Sequence, residues 1–328
     1  MDKQVIISVK TIIISILIAL GVYVLFRLGP IIGILLIAVF IVMSMEPAVK
    51  RFMRFTFFNQ PLSRSAAVIT SYLILLVILA VVATFVIPPV VTESQKMIVN
   101  LSSLTKGIVL PGSAQFNLTD LLPQASKVST GILSATISIF SNVTAFVSLL
   151  IFAVYMSLDW VNIKKNFISI FPDNLEDTVK DTLDEIEKSV GSWVRGELFL
   201  MFTVGFASFT GLAILGVRYA LALGIISSIT EAVPMIGPII AGILAGIIGF
   251  SESPIKGIGA VALYILIQQL ENNLLVPKVM AKVSGFRPLV ILLALLVGNQ
   301  FFGIIGAIVA VPMTMVGSII LKKFLRYS

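Results

Sequence analysis

The chain contains no cysteine and no histidine. The first absence excludes disulfides and thiol catalysis. The second excludes imidazole metal sites and imidazole proton relays. Charge is scarce as well: Asp, Glu, Lys and Arg make up 12% of the 328 residues, against about 25% in soluble domains. There is no Walker loop, no nucleophile–base pair and no metal-ligand cluster, so neither an enzyme nor an ATP-driven pump is supported and no cofactor is expected.

What fills the chain is apolar sequence. Hydrophobic residues make up 58% and the mean hydropathy is +1.09. Several runs reach the ~20 residues needed to cross a bilayer, so lipid is the solvent for most of the molecule. Backbone groups in hydrocarbon must be satisfied internally, which leaves helices or a closed barrel. The runs are continuous rather than alternating, which selects helices. The net charge of +7 comes from Lys and Arg gathered at the ends of apolar runs. That is the pattern of membrane orientation rather than of nucleic-acid binding.

Read in order, the sequence predicts a single integral membrane domain over 1–328. The apolar run 11–26 is read as a retained first helix, since no small-x-small cleavage site follows. Arg27-Leu28-Gly29-Pro30 turns the chain, and 31–45 returns it to Lys50, Arg51, Arg54 and Arg64. Those cations place both that end and the N-terminus in the cytoplasm. Residues 65–88 cross outward to a polar extracytoplasmic region, 89–129. Residues 130–158 cross back to Asp159, an interfacial cap, and to Lys164 and Lys165. A cytoplasmic amphipathic helix is expected over 172–195. Its apolar stripe is Leu175, Val179, Leu183, Ile186, Val190 and Trp193, and its opposite face is acidic. The stripe suits the protein's own cytoplasmic surface or a neighbouring subunit. Residues 198–217 and 257–276 then cross again.

Two regions are not simple spans. Residues 219–250 break at "TEAVPMIGP" and 288–321 break at "GNQFFG". Each is either a kinked full crossing or a hairpin of two half-helices. In the second case the charges put the two hairpins on opposite sides. Segments 198–250 and 257–321 then form an inverted repeat, with the breaks meeting near the midplane, where transport sites are built.

Carboxylates within such runs cost about 2.5–3.5 kcal/mol and are functional by default. Glu231 precedes the first break, beside Pro234, Gly237 and Pro238. Glu271 sits in "QQLENNLLVPK", and Gln268, Glu271 and Asn272 are spaced to share one helix face. Asn299 and Gln300 lie in the second break. These nine residues are the candidate solute or ion pathway. The bland alternative makes Glu231 a helix cap and Glu271 an anchor of interhelical hydrogen bonds.

The stretches "ITEAVPMIGPIIAGILA", "ENNLLVPKVMAKVSGFRPLVILLALLVG" and "FFGIIGAIVAVPM" resemble the autoinducer-2 exporter family, as does "YMSLDW" followed by a short amphipathic helix. The resemblance covers essentially the whole chain. By position, Glu231, Pro234, Gly237 and Pro238 match the family's first motif, and Glu271, Asn272, Pro277 and Lys278 its second. Arg287 stands where the family often has histidine, which removes any role for that imidazole. The resemblance implies an all-α polytopic secondary transporter of about eight transmembrane segments that forms a homo-oligomer; two of those segments are the broken or re-entrant ones above. It implies either export of a small polar metabolite such as autoinducer-2, or sodium(lithium)/proton antiport. A non-transporting oligomeric scaffold would have no use for polar groups at two mid-membrane breaks.

Overall fold

A helix satisfies its own backbone, and the apolar runs of this chain are helical throughout. The computed structural model describes residues 9–57, 60–104, 143–234, 236–280 and 286–325. Among these, α1 (Val9–Met53), α2 (Arg64–Phe85), α3 (Ile87–Leu104), α4 (Val143–Leu158) and α5 (Trp160–Ile168) form the first half. The second half holds α6 (Asp173–Ile214), α7 (Ala220–Glu231), α8 (Ile236–Glu252) and α9 (Pro254–Leu270). A π-helical turn (Glu271–Leu275), α10 (Val276–Met280) and α11 (Pro288–Leu325) complete it. The only strand pairing among the described residues is a two-residue ladder, Thr56–Phe57 with Gln60–Pro61. Four helical stretches are long and apolar enough to cross a membrane, or five if the bent pair α4–α5 counts as one. Three shorter apolar helices accompany them. The chain is a polytopic, all-helical membrane protein.

Three expected boundaries are not where the sequence put them. Helix α1 runs unbroken through Arg27–Pro30. Proline there costs one helical hydrogen bond, whereas a turn among apolar residues would strand several backbone groups. The expected turn at 27–30 is therefore replaced by continuous helix. Beyond α2, the chain pauses only at Val86 before α3 begins. Pro88 and Pro89 fall in the first turn of α3, where missing N–H groups leave nothing unsatisfied. So 87–104, expected to be mostly polar outer region, is a helix packed on α7 with Met97 fully buried. The rest of that region, 105–129, and the first part of the 130–158 crossing lie outside the described residues. Finally, the amphipathic helix and the next crossing are one helix, α6. At about 1.5 Å per residue its 42 residues span about twice a ~30 Å core, so its charged first half stands clear of the hydrocarbon.

That first half is bolted down by charge. Glu187 on α6 accepts from Lys50 at 3.0 Å, Trp160 Nε1 at 2.9 Å and Lys164 at 2.7 Å. Nearby, Arg64 grips the buried Glu46 through both guanidinium nitrogens at 2.9 Å and donates to the Ser157 carbonyl at 2.8 Å. Four elements, α1, α2, α4–α5 and α6, meet here. The stripe residues Val179, Ile186, Val190 and Trp193 are buried within the chain itself.

The two broken regions both double back. At its base the first is closed by Arg218 N–H donating to Glu252 Oε1 at 2.7 Å and by Lys256 bonding the Gly216 carbonyl. The segment 219–252 thus leaves and returns at one point. Helix α7, with 12 residues, is about 18 Å long and too short to cross. Its tip is so tight that a Cβ on Gly237 would lie 1.9 Å from the Thr230 carbonyl oxygen. In α11 the reversal is at Gly303, φ 60° and ψ −146°. There Gly298 and Gly306, which would be about 12 Å apart along a straight helix, approach until a Cβ on Gly306 would sit 1.9 Å from the Gly298 oxygen. Val233, in the first tip, packs on Leu295, Ala307 and Ala310 of the second hairpin.

Two outcomes are expected. Gly237→Ala forces the tip apart and should cost about 1–3 kcal/mol, read as a lower melting temperature in detergent. Gly317→Ala, with nothing within 4 Å, should leave it unchanged or raised. Equal melting of the two variants would refute the tip geometry. The second concerns pH. Burial works to raise the Glu187 carboxyl, but bonds from Lys164, Trp160 and Lys50 outweigh it and hold the group below its ordinary value. Burial likewise works to lower Lys164, and Glu187 and Asp184 outweigh it and hold it above. Glu187 therefore stabilises above its unfolded value, and this is lost as pH falls through its lowered folded one. Lys164 stabilises below its unfolded value, and this is lost as pH rises through its raised folded one. Glu187→Gln should cost about 1–3 kcal/mol near neutrality, and the gap from wild type should close at acid pH. A gap independent of pH would contradict the network.

Candidate functional site

Glu231 is the last residue of α7, and 2% of it is exposed. It stands at the break because the chain cannot continue helically into Pro234. The break is then knitted by short-range bonds: Ala232 N to the Ile229 oxygen at 3.2 Å, Val233 N to Thr230 at 2.9 Å, Gly237 N to Val233 at 3.0 Å. Pro238 falls in the first turn of α8, where a missing N–H is harmless. It is buried with Gly237, and Pro234 is half-buried in the tip.

Glu271 comes from the end of α9, where the helix widens into the π turn, closed by Val276 N–H bonding the Glu271 carbonyl. Such turns are frequent at functional positions. Glu271 is buried, and Gln268 Nε2 donates to its Oε2 at 3.2 Å. The carboxyl groups of Glu231 and Glu271 lie close enough to interact with each other. A third carboxylate joins them. Glu197, 6% exposed on α6, lies close enough to interact electrostatically with both. Three helices thus deliver three buried carboxyl groups to one place. None of the three forms an ion pair with a lysine or arginine among the described residues. Glu231 Oε2 is buried without any hydrogen-bond partner. The three are not arranged as a metal-binding group.

The structure separates the other candidates. Asn272 is exposed rather than sharing a face with Gln268 and Glu271. The extra residue in the π turn rotates the following side chains off the α-helical register. Asn299 and Gln300 are exposed near the tip of the second hairpin and make no hydrogen bond to the carboxylates. Pro277 and Lys278 are exposed too. Asp159 precedes α5 without capping it, and instead accepts from Asn162 at 2.7 Å. Sequence reading missed Glu197. In the sequence the apolar run begins at Leu198, and Glu197 reads as its flank. The signal was its place in "RGELFLMFTVGF", one residue from a run with no further charge before Arg218.

Beside the site, α8 and α9 flank a groove of ≈ 410 Å³, lined by Pro238, Gly242, Gly246, Tyr264 and Gln268 among others. It is mostly apolar, and Gln268 joins it to the carboxylates.

The sequence is similar to those of known proteins. The model of the AI-2E family transporter matches residues 12–326. Two Bacillus subtilis chains named for transport are similar. YueF is 33% identical over 60% of this chain and 53% of its own length. YrrI is 30% identical over 66% of this chain and 62% of its own. The AI-2 transport protein TqsA of Escherichia coli is 26% identical over 65% of this chain and 58% of its own. The chain therefore spans between about half and two thirds of the length of these relatives. Matched from its first apolar run to its last basic residues, and built around two helical hairpins, the chain belongs to the AI-2E family of membrane transporters.

Proposed function

We propose that the protein is a secondary transporter for a small polar solute and that Glu197, Glu231 and Glu271 are its coupling site. One observation carries this reading: three buried carboxyl groups that pair with no lysine or arginine among the described residues, beside a helix break, with one oxygen left unpaired. Buried like charges this close cannot all be ionised. The trio therefore keeps at least one proton. A solute that brings its own donors displaces that proton or requires it, and the two fluxes are coupled. Export of a small polar signalling molecule, of the kind named in the Escherichia coli relative, fits a site that offers carboxylate and amide groups and backbone at a helix tip.

Sodium(lithium)/proton antiport is the second reading. It is favoured by the trio forming no ion pair with a lysine or arginine among the described residues, which leaves its charge available to a monovalent cation in place of the proton. In neither reading is the scaffold role needed.

Purified protein in proteoliposomes under imposed pH or Na⁺ gradients separates these cases. Glu231→Gln and Glu271→Gln should each cut coupled flux at least about tenfold, the equivalent of ~1.4 kcal/mol in barrier. Glu197→Gln should shift the pH at which flux is half-maximal. Dependence of proton release on Na⁺ alone selects antiport, and dependence on an added polar solute selects export. Wild-type flux in both glutamine variants at 231 and 271 would overturn the site.

A further inference from the structure

The buried polar side chains of the second half of the chain do not end at the carboxylates. Among the described residues after 190 they are Glu197, Ser208, Ser227, Thr230, Glu231 and Glu271. Helical spacing puts them along one seam. Glu197 and Ser208 are three turns apart on α6, and Ser227 and Glu231 one turn apart on α7. Tyr264, Gln268 and Glu271 fall at successive turns of α9. One end of the seam is the carboxylate trio. The other is a cluster of hydroxyls.

In that cluster the Tyr264 hydroxyl lies 2.5 Å from Ser227 Oγ, and both residues are buried. Ser227 donates its only proton to the Leu223 carbonyl at 2.7 Å, so Tyr264 donates to Ser227. Ser208, on α6, lies beside the same tyrosine hydroxyl, and its Oγ is buried without a hydrogen-bond partner, which leaves it free to accept from Tyr264. Thr230 is spent on the backbone, donating to the Ile226 oxygen at 2.8 Å. Beyond the hydroxyls the seam is shut by packed apolar side chains: Met97 of α3 with Leu212, Leu223 and Leu244. At the other end stands the unpartnered Glu231 Oε2. Glu231 follows Ser227 by one turn of α7, about 6 Å of helical rise. A buried carboxyl oxygen without a donor invites one, and a water bonded to both side chains would supply it.

We infer that Ser227, Tyr264 and Ser208 form the proton path between Glu231 and the α3 side of the protein, completed by one water bridging Ser227 Oγ and Glu231 Oε2. This rests on the proton-coupled reading above and adds the route. In the outward step the protonated Glu231 carboxyl gives its proton to the bridging water, and the water passes one of its own to Ser227 Oγ. Ser227 releases the proton it had directed at Leu223 to the Tyr264 oxygen. Tyr264 passes its own to Ser208, and Ser208 releases its own to water once the plug has parted. Each hydroxyl and the water gain one proton and lose one, so all remain neutral. A carboxylate is left at Glu231. Tyr264 and Ser227 are positioning residues in this scheme, because they act on the solute only through Glu231.

The competing role for such hydroxyls is adhesion between helices, and the test must tell the two apart. The full chain is reconstituted in vesicles loaded with a pH-sensitive dye, and proton flux is followed under an imposed pH gradient. Tyr264→Phe keeps the ring and removes the oxygen. It should slow proton flux about tenfold with the melting temperature in detergent unchanged, and Ser227→Ala should do the same. Wild-type flux should slow in D2O, and the isotope effect should change in Tyr264→Phe. Wild-type proton flux in Tyr264→Phe overturns the path, as does a flux loss that only follows a loss of stability. If wild type conducts, Glu231→Gln is silent and Tyr264→Phe is unaffected, the path falls while the transport reading stands. A wild-type protein that moves no protons under any gradient or added solute overturns both.

Discussion

A helix that stops inside hydrocarbon must find partners for every backbone group it frees, and the rest of this structure is arranged around that demand. At the first break the chain meets it by tightening. The N–H groups of Ala232, Val233, Ile236 and Gly237 bond over short ranges, and the two prolines remove donors that would otherwise be left over. The same tightening forces the chain to reverse. The reversal brings α8 alongside α7, and Gly237 against Thr230 is the contact that permits it. Glu231 is then the last helical residue before a segment with no regular backbone, which is where a carboxyl can face a ligand instead of its own helix.

The base of the first hairpin is secured in a different way. Glu93 of α3 accepts from Ala222 N–H at 3.0 Å, capping the start of α7 from another helix. Glu252 and Lys256 tie residues 216–218 to the end of α8 and the start of α9. Base and tip therefore have opposite characters. The base is held by charged groups and by α3. The tip is held by apolar contact between Val233 and the second hairpin. Interfaces of the second kind slide with little loss of bonding, whereas the first must break hydrogen bonds to move.

Much of this was legible in the residues, and the failures have physical causes. Apolar runs gave the helices, and "TEAVPMIGP" and "GNQFFG" marked the reversals because proline and glycine interrupt helices wherever they occur. Glu231 and Glu271 stood out because a charge inside an apolar run has few uses. Arg27-Leu28-Gly29-Pro30 misled because it carries turn chemistry suited to water, and lipid penalises an opened backbone more than it penalises a proline. Asn272 misled because α-helical spacing was assumed through a turn that holds an extra residue. Glu197 was passed over because only three-dimensional packing decides whether a carboxylate at the end of a run faces water or a neighbouring helix. Arg64 was read as an orientation signal, although its partner Glu46 is almost fully buried.

One consequence follows from α6 being a single uninterrupted helix. Glu187 lies in the aqueous network and Glu197 in the carboxylate trio, ten residues further along the same rod, about 15 Å at the α-helical rise. A helix of this kind scarcely stretches and resists twisting. The ion pairs that Lys50 and Lys164 make with Glu187 therefore act as a depth gauge. They fix how far into the bilayer Glu197 reaches and which way it points, although no atom of the gauge touches the membrane site.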